Sequence, residues 1–245
     1  MILELDSAES LYLHRRRIRD NNFLRRLYED FYLEIKNSGL PAGTVVELGS
    51  GPGFIKKIIP NTITSDVISG PDIDQTFSAA AMPFTSNSIG AFVMFNVFHH
   101  LKEPEQALRE MERCLMPGGK IVMIEPYNSV WGHFVYSHFH YEDFNPMAGW
   151  KIEGDGRLSD ANNAMPWIVF VRDQAVFSKK FPLLNIMCLR VHTPFRFIIS
   201  GGLTKPQLLP AFLYPAVCWF EKIISPFNKQ LGMFVTIELQ KRPSL

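Results

Sequence analysis

Glu47 ends a β-branched run and precedes three glycines at alternate positions, in the stretch Val45-Val46-Glu47-Leu48-Gly49-Ser50-Gly51-Pro52-Gly53. Val45 and Val46 favour an extended strand, because branching at Cβ restricts χ1 and packs well on a pleated surface. Gly49, Gly51 and Gly53 let the chain turn tightly and bring its backbone close to a ligand. A strand ending in such a loop is where an open α/β sheet binds its ligand, here a nucleoside-bearing cofactor. The spacing separates two chemistries. The dinucleotide fingerprint is G-x-G-x-x-G, with a helix N-terminus facing the pyrophosphate. This loop reads G-x-G-x-G, and Phe54 stands where the third dinucleotide glycine belongs. The carboxylate of Glu47 would repel a pyrophosphate but suits a cation. S-adenosylmethionine carries an ammonium and a sulfonium, so it fits the acid-then-glycine order better than a nicotinamide dinucleotide does.

The elements that must position these groups are readable downstream. Residues 63–67, Ile-Thr-Ser-Asp-Val, form a second strand ending in Asp66. Asp66 lies about 20 residues beyond the first strand, the distance at which such folds place a carboxylate on ribose hydroxyls. Residues 91–97 are a continuous apolar run, as expected of a strand buried on both faces in a parallel sheet. Pro104 suits a first helical turn, and Ala107, Leu108, Met111 and Leu115 share one helical face that Pro117-Gly118-Gly119 ends. Another buried strand covers Lys120–Ile124, ending at Glu125-Pro126. Residues 183–191 read as a sixth strand and Met233–Leu239 as the last. The alternation of strand, loop and helix predicts an α/β fold with a mostly parallel sheet.

With these residues in hand, the chain resembles the class I S-adenosylmethionine-dependent methyltransferases, in particular their type 11 small-molecule group. The resemblance covers about residues 40–127. It rests on ELGSGPG at 47–53, Asp66, AAAMPF at 79–84, FNVFHHL at 95–101 and EPEQALREMERCLMPGGKIVMIEP at 103–126. It implies a Rossmann-like seven-stranded sheet, last strand antiparallel and helices on both faces, with S-adenosylmethionine over the ends of its first, second and fourth strands. By this resemblance Glu47, Gly49 and Asn96 border the methionine part, while Ser50, Gly51 and Gly53 shape the loop. Asp66, with Val67 beside it, meets the ribose, and Ser78, Ala79 and Ala80 meet the adenine. Family members commonly carry an Asp where Ser78 stands; a hydroxyl accepts the adenine amino group more weakly than a carboxylate does. Methyl transfer requires in-line alignment, and a base only if the acceptor must lose a proton. By analogy His100 faces the pocket and is the candidate base, with Glu125 and Tyr127 as further candidates. A cofactor-binding protein of this fold without catalysis stays open as the alternative.

The 245 residues suit one domain: an N-terminal helical cap (1–40), a cofactor core (41–127), an aromatic-rich insertion (128–182), and C-terminal strands with an apolar helical segment (183–245). A net charge of +1 argues against nucleic acid as a partner. The three cysteines, Cys114, Cys188 and Cys218, lack disulfide or zinc-type spacing, and residues 1–20 hold acids and arginines rather than an apolar signal core, which places the chain in the cytoplasm. Leu24, Leu27, Tyr28, Phe31 and Ile35 predict one or two helices over residues 10–37 packed on the sheet edge. The runs His14-Arg15-Arg16-Arg17 and Arg25-Arg26 read as a solvated face or an anion site, and the resemblance brings Tyr12 or an arginine near the cofactor.

Residues 127–145 gather Trp131, His133, Phe134, Tyr136, His138, Phe139, His140, Tyr141 and Phe144. The histidines lack H-x-x-x-H spacing, so no metal site is expected; an aromatic wall for a small-molecule methyl acceptor, or ordinary packing, fits better. Pro206–Phe227 contains only two charged side chains, Glu221 and Lys222. It reads as a core helix, or as a lipid-facing surface or substrate lid that would allow peripheral membrane contact.

Overall fold

The computed structural model describes residues 8–153 and 160–243. Two helices lead, α1 (Ala8–Asp20) and α2 (Asn22–Asn37). Asn21 caps α2 by accepting the Leu24 N–H at 2.9 Å. Strands β1 (Thr44–Glu47), β2 (Ile63–Asp66), β3 (Gln75–Thr76) and β4 (Ile89–Phe95) follow, then α3 (Pro104–Cys114) and β5 (Leu115–Pro126). Beyond them come α4 (Val130–Phe139), α5 (Met165–Trp167), which runs on as a π turn over Ile168–Arg172, α6 (Gln174–Lys180), β6 (Leu184–His192), α7 (Arg196–Ser200), α8 (Tyr214–Ile223), α9 (Asn228–Leu231) and β7 (Phe234–Lys241).

The seven strands form one sheet in the order β3-β2-β1-β4-β5-β7-β6. β1 to β5 pair in parallel, whereas β7 runs antiparallel to β5 and β6, as the resemblance implies. Alternation along the central strands feeds two cores. Phe92, Met94, Ile121 and Met123 point to one face, where they meet Leu108, Met111, Phe170, Phe177 and Phe181. Val93, Phe95, Val122 and Ile124 point to the other and meet Phe23, Leu24, Leu27, Phe31 and Ile35 of α2. At about 1.5–3 kcal/mol for each fully buried large side chain, this stripe holds α2 in place more firmly than helix propensity could.

Several expectations need correction. The helix α2 lies across the sheet face, not on its edge, because its apolar stripe meets strands from the middle of the sheet. After the glycine loop the chain makes only one 3-10 turn, Ile55–Lys57; Pro60 disfavours helical backbone at Ile59. The fourth strand runs from Ile89 to Phe95, because Asn96 adopts φ 55° and ends it. The helix before β5 stops at Cys114, ahead of Pro117-Gly118-Gly119, because Leu115 already pairs with Ile89.

Pro206–Phe227 enters the core only through Tyr214, with Ala211, Val217 and Cys218 packed against it. Pro210 and Pro215 break it into short turns and α8, and Phe212 and Trp219 are 76% and 66% exposed. The side that faces the protein mixes these apolar contacts, such as Tyr214 edge-on to Phe23, with polar ties. Glu221 accepts the backbone N–H groups of Phe195 and Arg196 and pairs with the Arg196 guanidinium, which also reaches Asp30 at 2.6 Å. Among the described residues no helix is long and apolar enough to cross a membrane.

Candidate functional site

Growth of the sheet reverses between β1 and β4, so the loops at their carboxyl ends part there. They enclose a cavity of about 1580 Å³. A single small-molecule site usually holds about 300–1,000 Å³, so this one has room for a cofactor and an acceptor together. Glu47, Gly49, Ser50, Gly51, Gly53, Asp66, Val67, Ser78, Ala79, Ala80, Asn96 and His100 all line it. The structure thus brings these twelve residues to one cavity.

At one end the loop after β1 is tied down by its own chain. Gly49 has φ +62°, and a Cβ there would sit 2.6 Å from the Val97 methyls of the loop after β4. A Cβ on Gly53 would lie 2.2 Å from the Tyr32 hydroxyl. These glycines therefore admit neighbouring protein groups as much as a ligand. Asp66 accepts the Gly51 N–H at 2.9 Å and the Ile68 N–H at 3.2 Å, one on each carboxylate oxygen. Each oxygen keeps a further lone pair for a hydroxyl. The Ser50 hydroxyl accepts the Ser65 N–H at 3.2 Å and so joins β1 to β2. Ser78 Oγ accepts the Ala80 N–H at 3.2 Å.

Two acceptors at this end lack partners. Oε2 of Glu47 and Oδ1 of Asn96 are buried without a hydrogen bond. Unpaired buried acceptors are costly, of the order of 1–3 kcal/mol each, and call for a donor. Burial raises the Glu47 carboxyl to about 8, with the nearby Asp66 adding to the effect and bonds from Ser50 and Tyr32 opposing it. A cationic N–H donor at either oxygen would satisfy it, and one at Glu47 would draw that carboxyl into its ionised form. Residues 47 and 96 thus fit the ammonium of an amino-acid-bearing cofactor.

The other end was not legible as a unit. His99 and His100 lie on the 3-10 turn Phe98–His100 after β4. Glu125, fully buried at the end of β5, accepts the Val97 and Phe98 N–H groups at 2.8 Å each and contacts His99 Nδ1 at 2.7 Å. Three bonds hold it to the turn and to His99, and it does not line the cavity, so it positions the turn and does not meet an acceptor. Glu142, beyond α4, faces His99, His100 and His140, each at 3.6 Å, and accepts Asn163 Nδ2 at 3.0 Å. Burial disfavours the His99 cation, yet the hydrogen bond to Glu125 and the attraction of the Glu142 carboxylate outweigh it and lift the group to about 9. Burial and the adjacent His99 charge push His100 down to about 3. Burial opposes ionisation of Glu142, but the surrounding imidazoles hold it below the usual carboxylate range.

Glu142 went unnoticed because its role depends on a turn 40 residues upstream; the only local signal was the His140-Tyr141-Glu142 triplet. Tyr127 is not among the lining residues, and neither is Tyr12, which is 62% exposed; Leu11 and His14 of α1 line the cavity instead. The arginine runs act as surface ties: Arg15 pairs with Asp72 at 2.7 Å, and Arg26 donates to the Ala211 carbonyl at 3.3 Å. His133 and His138 bond to Asn128 and to the Phe134 carbonyl. The donor atoms that do gather in the way metal ligands would are those of His99, His100 and Glu142. Of the aromatic run only Tyr136, Phe139, His140 and Tyr141 line the cavity, beside Val135 and with Phe197, Ile198 and Leu203 from around α7; Trp131, His133, Phe134, His138 and Phe144 do not.

Comparison with known proteins agrees with this layout. Residues 46–123 match the family described as methyltransferase domain. A demethylmenaquinone methyltransferase from Renibacterium salmoninarum is 39% identical over 72 residues, 28% of this chain and 30% of the relative. The match therefore spans under a third of that protein's length. One chain of the complex between the Haloferax volcanii Trm112 methyltransferase activator and a methyltransferase shares the fold, with TM-score 0.56, 13% identity and coverage of 99% of this chain and 97% of that one. A geranyl diphosphate C-methyltransferase from Streptomyces coelicolor, solved with Mg2+, geranyl diphosphate and S-adenosyl-L-homocysteine, aligns with TM-score 0.53 at 14% identity, covering 89% and 82% of the two chains.

Proposed function

We propose that this chain, a member of the class I S-adenosylmethionine-dependent methyltransferases, moves a methyl group from S-adenosylmethionine to an O, N or C nucleophile of a small hydrophobic or lipid- or saccharide-linked acceptor. The observation that carries the cofactor half of this reading is the pair of unpartnered buried acceptors, Glu47 Oε2 and Asn96 Oδ1, beside the glycine loop. The bound cofactor supplies a methyl group on a positively charged sulfur, already activated for displacement. The chain's own residues orient and enclose. Glu47 and Asn96 take the ammonium, Asp66 takes the ribose hydroxyls, and the backbone around Ala79 and Ala80 takes the adenine.

The acceptor half rests on the aromatic and aliphatic wall that closes the far end of the cavity, where Phe139, Tyr141, Phe197 and Leu203 favour an apolar body. The His100–Glu142 edge is the polar part of that wall, and an acceptor group that must lose a proton would meet it there. Alignment in a water-poor cleft supplies much of the rate. The exposed apolar residues of Phe212–Phe227 favour acceptors that reside in or near a lipid surface.

Incubation with methyl-tritiated S-adenosylmethionine and a panel of hydroxylated lipids, quinones and glycolipids tests the proposal. Label should move to an organic-extractable acceptor with matching release of S-adenosylhomocysteine. Binding without turnover on any acceptor would favour the non-catalytic alternative, and absence of binding would remove both.

A further inference from the structure

The cluster at the acceptor end has spacings that hydrogen bonding does not explain. His99 Nε2 and His100 Nε2 stand 3.6 Å from Glu142 oxygens, one imidazole on Oε2 and the other on Oε1. That is too far for a hydrogen bond. The donor atoms of His99, His100 and Glu142 nevertheless all lie within 4.8 Å of one another. Ligands about 2.1 Å from one ion are separated by about 3.0–3.4 Å in octahedral or tetrahedral geometry, so the 3.6 Å pairs need a contraction of a few tenths of an ångström and the widest pair one of at most about 1.4 Å, within reach of side-chain rotation.

The surroundings are those of a ligand set. Glu125 Oε2 lies 2.7 Å from His99 Nδ1, which fixes that nitrogen as the donor, so an ion that displaces the other ring proton would meet the Nε2 lone pair on the Glu142 side. A carboxylate behind an imidazole in this way orients it and strengthens it as a ligand. Asn163 Nδ2 donates to Glu142 Oε2 at 3.0 Å and so orients the carboxylate, while the Glu142 backbone N–H, donating to His140 Nδ1 at 3.3 Å, fixes the chain at that position. His99, His100 and Glu142 all line the cavity, which leaves coordination positions facing a ligand. The two carboxylates, Glu125 and Glu142, match the charge of a divalent ion.

We infer that His99 Nε2, His100 Nε2 and a carboxylate oxygen of Glu142 form a binding site for a divalent transition-metal ion, of the two-histidine, one-carboxylate type. Imidazole and carboxylate donors together suit zinc, iron, manganese or cobalt. The task of the ion rests on the methyl-transfer reading. It would lie against an acceptor oxygen, which then loses its proton more readily, and His100 would serve as ligand in place of proton acceptor. As the acceptor O–H bond breaks, its proton leaves to solvent. The oxygen's electron pair then forms the O–C bond, and the S–C pair stays on sulfur as S-adenosylhomocysteine.

Full-length protein dialysed against EDTA and then titrated with Zn2+ alone, against a chromophoric chelator, tests the site. One ion should bind per chain. The substitutions His100→Ala and Glu142→Gln should each weaken binding by about tenfold or more. Co2+ should give visible absorption bands that both variants alter. Circular dichroism and S-adenosylhomocysteine affinity, unchanged within about twofold, certify the variants' fold; should Glu142→Gln fail to fold, His100→Ala, at a less buried position, decides alone. Substoichiometric Zn2+ uptake, or equal affinity in wild type and the variants, overturns the site. Because S-adenosylhomocysteine binding is measured without metal, failure of the site leaves the cofactor reading standing, and failure of cofactor binding shows itself independently.

Discussion

The two ends of the cavity are built in opposite ways. At the cofactor end the polar groups come from one stretch of chain, Glu47 to Asn96, carried on loops that leave β1, β2 and β4. At the acceptor end they come from His99, His100, Glu142 and Asn163, with walls from α4 and from around α7. The first end is held by backbone: Asp66 on the Gly51 and Ile68 N–H groups, and Ser50 between β1 and β2. The second is held by side chains that charge one another, Glu125 to His99 to Glu142. A backbone-built site is fixed by strand order and tolerates little change in its glycines. A side-chain-built site can change its chemistry by a few substitutions while the fold stays, which is how one sheet serves many acceptors.

Substitutions should separate the two ends. The largest effect is expected at the acceptor end. His100→Ala should lower methyl transfer by about 100-fold or more, whether the ring takes the proton or holds an ion. Its S-adenosylhomocysteine affinity, read by calorimetry, should stay within about twofold of wild type. Loss of cofactor binding in that variant would show the ends to be one coupled unit. Next, Glu47→Gln should weaken cofactor binding by about 10- to 100-fold, the 1.5–3 kcal/mol of a hydrogen bond to a charged group. Asp66→Ala should cost about 1–3 kcal/mol of cofactor affinity, and an unchanged value would remove Asp66 from the site.

A pH series sharpens the contrast. The Glu47 carboxyl stands at about 8, above its ordinary 4.5. Between those values the folded, cofactor-free protein binds more protons than the unfolded chain. Its stability from this group therefore falls as pH rises through that window and levels off above it. Cofactor affinity runs the other way, rising up to about tenfold per unit from pH 6 to 8 as the proton becomes easier to displace. Thermal melts and titrations across that range check both signs, and Glu47→Gln should flatten both slopes. The smallest effect is expected from Phe139→Ala, at the rim of the acceptor wall and 57% exposed. It should raise the KM for the acceptor a few-fold and leave the cofactor untouched, in keeping with about 1 kcal/mol for a partly buried ring.

The same contrast explains what was legible in the sequence. Val45-Val46-Glu47 and the glycines are neighbours in the chain, so strand, loop and acid could be read together, and Asp66 followed from the length of one strand-to-strand unit. The seven-strand order came with the resemblance. Glu142 could not be paired with His99 and His100, because nothing local states that the end of α4 returns to the turn after β4. Pro206–Phe227 reads in sequence either as a core helix or as an exposed apolar surface, and it lies mostly outside the core, with only Tyr214 buried in it. Its apolar residues suggested burial, while the groups that fasten it, Glu221 with Arg196 and Tyr214 with Asp30, are polar and lie far apart in sequence.

The central claim is that Glu47 and Asn96 await a cationic donor beside the glycine loop. Calorimetric titration of S-adenosylmethionine at pH 7, repeated in buffers of different ionisation enthalpy, tests it most directly. One molecule should bind per chain with release of about one proton in the wild-type protein and none in Glu47→Gln, where affinity also falls. No binding at millimolar cofactor, or equal affinity and equal proton count in both proteins, would contradict it.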